Sequence, residues 1–169
     1  MKHNSLIRKT ITTLLLLGSS STFAANSATT FKVAVIKNTL GASEIVSGQY
    51  EQGINEISGK MDNFNHAMNL CVAQIKVAQF EKAENSCSQA IDSLSVNASR
   101  GRHGKLLKAL AYSNRGIARH INGKNKKAYD DFLMAKSFSN NPLIIDNITY
   151  FNSSINEATF NAPTNMTAE

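Results

Sequence analysis

The two cysteines of this 169-residue chain, Cys71 and Cys87, are 16 positions apart. In an oxidising compartment an even pair of cysteines favours a disulfide, and closing this loop would stabilise the fold by roughly 3 kcal/mol. The alternative is a pair of buried free thiols that pack as small apolar groups. A metal site is disfavoured, because His66 is the nearest histidine and no fourth ligand is evident.

No catalytic set is readable in the remaining polar residues. The sequence contains no G-x-S-x-G, H-E-x-x-H, phosphate-binding or dinucleotide-binding motif, and its histidines pair with no cysteine or serine. On a helix the adjacent carboxylates of Asp130 and Asp131 would point about 100° apart, so we interpret both as solvated surface. The sequence therefore predicts a protein that is not an enzyme and uses no cofactor or metal. An enzyme whose site is assembled only in space stays an alternative.

The first 24 residues have the three parts of a secretory signal peptide. Basic residues precede an apolar run, Ile11–Leu17, and small residues lead from there to Ala24. We expect cleavage after about Ala24. A membrane anchor is disfavoured, because an apolar run of about seven residues is far shorter than the roughly 20 that span a bilayer.

Export also changes the charge of the chain. Removing the basic residues of the signal lowers the formal charge from +6 to +3, and the remaining basic cluster, Lys124, Lys126 and Lys127, is expected in a solvated turn. Nucleic-acid binding is therefore disfavoured, and so is membrane insertion after signal cleavage. The expected location is the periplasm, or outside the cell. In a eukaryote, Asn147 would be one of the acceptors for N-glycosylation.

Helical periodicity runs through most of the chain, and no proline interrupts it between the signal and Pro142. The one candidate strand, Phe31–Ile36, merges into a helical pattern. We therefore predict an all-α domain of antiparallel helix pairs. The expected order is a flexible segment at 25–32, helix pairs at about 33–59, 62–95 and 105–140, a capping helix at 142–157, and a flexible tail at 158–169.

Three of these segments share a pattern of small residues. A small residue is followed 12 positions later by another, and a short turn lies between them. Two antiparallel helices approach closely only where both carry small side chains, so these residues are predicted to pack helix against helix. The predicted packing residues are Gly41, Gly53, Ala83, Ala90, Gly116, Ala128 and Ala135, with Cys71 in the same register.

The pattern resembles the tetratricopeptide repeat (TPR), a helix pair with a usual period of 34 residues. The best match runs from Tyr112 to Pro142, and the second begins at Leu70. The small residues at 41, 71 and 116 are spaced unevenly, which fits a short first pair and an insertion at Asn97–Lys105. The resemblance implies a short right-handed solenoid that ends in a capping helix.

In the family, the first helix of each pair lines a concave groove that holds an extended peptide or a partner helix. Asparagines there could bond a peptide backbone, and methionine could adapt to apolar side chains. The resemblance therefore implies an exported protein–protein interaction module. The positions that it assigns to the groove include Asn38, Asn65, Met68, Asn69, Lys76, Ser113, Asn114 and His120.

Two alternatives stay open at this point. An irregular helical bundle would show the same apolar stripes, although its helix pairs would not stack with a constant rotation. In function, the alternative is a structural component of the cell envelope that associates with itself.

Overall fold

The computed structural model describes residues 30–60, 62–94 and 101–160, with side chains as far as residue 156. The described part of the chain is all-α, as predicted, and contains no strand. The predicted signal peptide, residues 1–24, lies outside the described ranges. The flexible tail predicted at 158–169 lies outside them from residue 161 onward, and residues 158–160 belong to the last helix. The helices are α1 (Ala42–Val46), α2 (Tyr50–Ile57), α3 (Phe64–Lys76), α4 (Phe80–Ser93), α5 (Arg102–Ile121), α6 (Asn125–Phe138) and α7 (Pro142–Phe160).

Each helix packs against the next one along the chain, and α7 contacts both α5 and α6. Contacts also join helices two places apart, namely α1 to α3, α3 to α5, and α5 to α7. The odd-numbered helices from α3 onward therefore lie side by side. Together α3, α5 and α7 form one continuous surface.

The turns that end α1, α3 and α5 have the same backbone conformation. At the end of α3 the Ala78 N–H donates to the Ile75 carbonyl (3.1 Å), and the Gln79 N–H donates to the Gln74 carbonyl (2.8 Å). This pair of bonds defines a Schellman motif, which needs a left-handed residue after the helix. Ala78 occupies that position with φ 59°, whereas Gly123 occupies it in the equivalent turn after α5. Because the next helix starts at once, each turn makes a tight antiparallel pair.

The predicted packing residues are all buried. A Cβ atom on Gly116 would lie 3.1 Å from the Phe132 ring, so α5 and α6 approach most closely where α5 has no side chain. Gly53 serves in the same way between α1 and α2, since a Cβ there would lie 3.1 Å from Ile45. Gly41 differs from the prediction in one respect, because it precedes α1 and lies outside any helix.

A disulfide joins Cys71 of α3 to Cys87 of α4, which confirms the predicted pairing. The two Cα atoms are 5.2 Å apart, and both residues are fully buried. A buried hydrogen bond from Ser86 Oγ to Gln74 Oε1 (2.8 Å) lies between the same two helices. The second pair is thus held by a covalent link and a polar contact within its apolar interior.

The beginning of the domain differs from the prediction. The first helix starts at Ala42, whereas residues 31–36 are extended, so the predicted first pair at about 33–59 is shorter than expected. Segment 31–36, our name for this stretch, runs across the odd-numbered helices. Part of the stretch predicted as flexible, Phe31 and Lys32, belongs to it. An exposed turn with Asn38 at φ 58° joins the segment to α1.

The last helix begins in the way that its sequence favours. Asn141 precedes it, and the Asn141 side-chain oxygen accepts a hydrogen bond from the Leu143 N–H (3.0 Å). Pro142 occupies the first helical position, where a missing N–H costs no hydrogen bond. The helix extends to Phe160, three residues beyond its predicted end. None of the helices among the described residues is long and apolar enough to cross a membrane.

Candidate functional site

Three buried asparagines occupy matching places on α3, α5 and α7. Asn69, Asn114 and Asn147 are each completely inaccessible to solvent. Asn69 and Asn114 both stand two residues before the small residue that packs their helix against its partner. A buried amide needs hydrogen-bond partners, because burying it without them costs several kcal/mol. We call these three residues the asparagine ladder.

The partners of the asparagine ladder are backbone groups of segment 31–36. The Lys32 N–H donates to Asn147 Oδ1 (2.8 Å), and Asn147 Nδ2 donates to the Lys32 carbonyl (2.8 Å). Asn114 makes the same pair of bonds to Ala34, both at 3.0 Å. Asn69 does so with Ile36, at 2.8 and 3.0 Å. Each side-chain amide therefore bonds both the N–H and the C=O of one residue, and the three bonded residues alternate along the segment. A neighbouring β-strand would bond alternate residues in the same way.

The segment runs in the direction opposite to the order of the helices. Lys32 lies at α7, Ala34 at α5 and Ile36 at α3, so the chain returns toward α1 as it advances. We call the surface of α3, α5 and α7 that contacts the segment the groove. Within segment 31–36 the asparagine ladder bonds only main-chain atoms, so these bonds depend on the extended conformation of the segment and not on its side chains.

Further side chains hold the ladder asparagines in place. Asn147 Nδ2 also donates to Ser113 Oγ (3.0 Å), and Asn114 Nδ2 approaches the Met68 sulfur at 3.7 Å. Asn69 Nδ2 donates in addition to Thr39 Oγ1 (2.8 Å). In the described part of the chain no buried side-chain nitrogen or oxygen lacks a hydrogen-bond partner. The amide orientations are therefore fixed by their surroundings as well as by the segment.

The groove positions assigned from the sequence fall into two groups. Met68, Asn69, Ser113 and Asn114 are buried around segment 31–36, and His120 packs against Phe31 with ring centroids 5.3 Å apart. The others do not join them. Asn38 is exposed in the turn before α1, Asn65 is half-buried in the first turn of α3, and Lys76 is exposed in its last turn.

The sequence interpretation did not assign Asn147 to the groove. It treated Asn147 only as a possible glycan acceptor, which complete burial of the side chain contradicts. A usable signal exists, because Asn147 follows Asn114 by 33 residues, close to the 34-residue period of the repeat. This spacing places Asn147 of α7 in the same register as Asn114 of α5.

A second polar arrangement, which we call the charged cluster, lies among α4, α5 and α6. Its members are Glu84, Arg115, Arg119, Lys124 and Asp131. Arg115 donates to both carboxylate oxygens of Asp131, at 3.0 and 2.8 Å, and Arg119 donates to the same carboxylate at 2.8 Å. Asp131 is only 2% exposed, so its interpretation as solvated surface is wrong. Asp130 is exposed.

Glu84 extends the charged cluster to α4. It accepts hydrogen bonds from Arg119 (2.9 Å) and from Lys124 Nζ (2.8 Å). Burial alone would raise the pKa of Glu84, but the hydrogen bonds and charges of Lys124 and Arg119 outweigh it and lower that pKa. The pKa of Arg115 is raised in turn, since the bonds and charge of Asp131 outweigh the effect of its burial. Both shifts favour the charged forms of Glu84 and Arg115, and the hydrogen bonds of the charged cluster bridge three helices.

The side chains of both arrangements are already paired within the chain. Among the described residues no group of three or more histidine, cysteine, aspartate or glutamate side chains could hold a metal ion. The groove presents neutral amides, and the carboxylates of the charged cluster are already paired with cations. What the groove can do is bind the main chain of an extended peptide.

Comparison with known proteins adds no relative to this description. No family model matches the chain. No curated protein and no solved structure shows significant similarity to it.

Proposed function

We propose that the protein is an exported, non-enzymatic protein–protein interaction module whose groove binds an extended peptide segment of a partner. One observation carries this proposal. Asn69, Asn114 and Asn147 pair with the backbone of every second residue in segment 31–36, which is how a peptide-binding surface holds an extended ligand. In this structure the chain's own segment occupies the place of the ligand.

The proposal includes a TPR-like array as the scaffold of the groove. Three features support that scaffold: the Schellman turns repeat after α1, α3 and α5, the odd-numbered helices contact one another in series, and small residues recur where paired helices meet. In such an array the first helices of the pairs share one face. A ligand that crosses this face touches each repeat in turn, as segment 31–36 does.

The proposed partner would take the place of segment 31–36 in the groove. The segment precedes α1 and is joined to it by an exposed turn at Lys37 and Asn38. The asparagine ladder bonds its main chain only, so another extended segment offers the ladder equivalent donors and acceptors. A partner helix would fit less well, because its N–H and C=O groups are already bonded within the helix.

Export is the second part of the proposal. The disulfide between Cys71 and Cys87 fits an extracellular or periplasmic location, where such bonds persist. The signal-like composition of residues 1–24 supports the same location. Binding outside the cytoplasm then implies a secreted or envelope protein as the partner.

Selection from a displayed library of random eight-residue peptides tests the binding proposal. The bait is the whole chain with Ala34→Glu, because a buried glutamate at position 34 would release the resident segment. The matched bait carries Asn114→Ala and Asn147→Ala as well, and circular dichroism checks that both baits stay helical. We expect peptides to be enriched only on the first bait. Equal enrichment on both baits, or none on either, would contradict the proposed function.

A further inference from the structure

We infer that the groove selects extended segments with an aromatic side chain followed three residues later by a small one, the pattern that Phe31 and Ala34 set. This inference rests on the proposed function and adds sequence specificity to it. The asparagine ladder bonds only the backbone of the segment. Any preference of the groove for particular peptide sequences must therefore come from its contacts with the side chains of segment 31–36.

Phe31 lies in a site formed by aromatic side chains of three helices. Phe31 meets the ring of Tyr150 edge-on at 4.6 Å between centroids, the ring of His120 at 5.3 Å and the ring of Phe132 at 6.1 Å. These rings belong to α7, α5 and α6 respectively. Edge-to-face contacts at such distances favour an aromatic ring over an aliphatic group of similar size. An aromatic side chain is therefore the fitting occupant.

The small position lies where the backbone is held most firmly. Ala34 is 8% exposed and belongs to an apolar cluster with Ala67, Met68 and Ala111. Its N–H and C=O are both bonded to Asn114, so the main chain cannot move outward to make room for a larger side chain. A leucine there would have to displace packed core atoms. Position 34 is therefore expected to reject large residues.

The charged contact of the segment contributes little to this selection. Lys32 Nζ lies 2.7 Å from Asp146 Oδ2, but the two side chains are 55% and 43% exposed. An ion pair that is so open to solvent contributes little to binding. Position 32 therefore supplies a matched control, since its backbone is bonded to Asn147 as firmly as that of Ala34 is bonded to Asn114.

Fluorescence anisotropy with labelled eight-residue peptides tests the inference. The parent peptide has the sequence of residues 30–37, and three variants carry Phe31→Ala, Ala34→Leu or Lys32→Ala. The receptor is the whole chain with Ala34→Glu, and a second receptor with Ala34→Pro, which lacks the N–H donor at that position, guards against an effect of the introduced charge. The unsubstituted chain is measured beside them.

We expect the parent peptide to bind both substituted receptors. The Phe31→Ala and Ala34→Leu peptides should bind about tenfold more weakly or worse, because one loses a partly buried ring with three aromatic contacts and the other overfills a tight site. The Lys32→Ala peptide should stay within about threefold of the parent. The unsubstituted chain should bind the parent at least about tenfold more weakly, since its own segment competes at an effective concentration of roughly millimolar.

The outcomes separate this inference from the proposed function. Equal affinities for the parent, Phe31→Ala and Ala34→Leu peptides would overturn the inference and leave a groove that reads backbone alone. Failure of the parent peptide to bind, together with enrichment of unrelated peptides in the display selection, would also overturn the inference only. Failure in both experiments would overturn both.

Discussion

Asn114 and Arg115 are neighbours in the sequence, yet they serve two arrangements of opposite character. The asparagine ladder uses neutral amides to hold the backbone of an extended segment, whereas the charged cluster uses two guanidinium groups to tie helices together. Consecutive residues of a helix point about 100° apart, so α5 serves both. One face of α5 therefore contacts segment 31–36, and another face is tied to the neighbouring helices.

The permanence of the charged cluster is tested by Asp131→Asn. The change leaves Arg115 and Arg119 with no full counter-charge on α6, and we expect the free energy of unfolding to fall by about 3–5 kcal/mol in urea titration. The matched control is Asp130→Asn at the exposed neighbouring position, which should change stability by less than about 0.5 kcal/mol. Equal effects of the two variants would mean that the charged cluster does not hold the helices together.

Removing the disulfide loosens the helix pair beside the charged cluster without touching any polar contact of the ladder. The double variant Cys71→Ala and Cys87→Ala should lose about 3 kcal/mol of stability, as expected for a loop of this length. Thermal unfolding with and without a reducing agent measures the loss. Reduction should destabilise the unsubstituted chain and leave the variant unchanged. A variant as stable as the parent would show that the bond adds nothing to the fold.

The replaceable character of the ladder contact is tested by Asn114→Ala. We expect a cost of about 1–3 kcal/mol, because the N–H and C=O of Ala34 lose their partners. The change should act locally, releasing segment 31–36 while the helices keep their protection from hydrogen exchange. Asn65→Ala, on α3 outside the ladder, is the control. Loss of protection throughout α3 to α6 would show instead that the segment is an inseparable part of the fold.

Acid should weaken the charged cluster and spare the ladder. Because the pKa of Glu84 is lowered in the folded protein, its contribution is present above the ordinary value of 4.5 and is lost as the pH falls through the folded pKa. Glu84→Gln should therefore cost about 1 kcal/mol at pH 7 and progressively less below pH 4.5. The stability of both chains measured from pH 7 to pH 3 checks this, and a pH-independent difference would contradict it.

Much of the fold follows from local sequence signals. The apolar stripes, the scarcity of proline and the paired small residues predict an all-α fold, and the compartment suggested by the start of the chain predicts the disulfide. Asn141 and Pro142 mark the start of α7 by ordinary capping chemistry. These features depend on residues close in sequence, so they can be read without knowing the tertiary structure.

Segment 31–36 could not be read in that way. Its apolar residues suit a strand or the start of a helix, and the choice is made by Asn69, Asn114 and Asn147, which lie 33 to 115 positions away from the residues that they bond. The burial of Asp131 has a similar origin, because its two arginine partners lie on the preceding helix. Tertiary contacts, and not local propensity, determine the conformation of segment 31–36 and the burial of Asp131.

Residue-resolved hydrogen exchange of the segment tests most directly whether the groove holds an extended backbone. We expect the amides of Lys32, Ala34 and Ile36 to be protected in the unsubstituted chain. Asn147→Ala, Asn114→Ala and Asn69→Ala should each lower protection most strongly at the amide bonded to that asparagine. Free exchange of all three amides in the unsubstituted chain would mean that the asparagine ladder holds no peptide backbone.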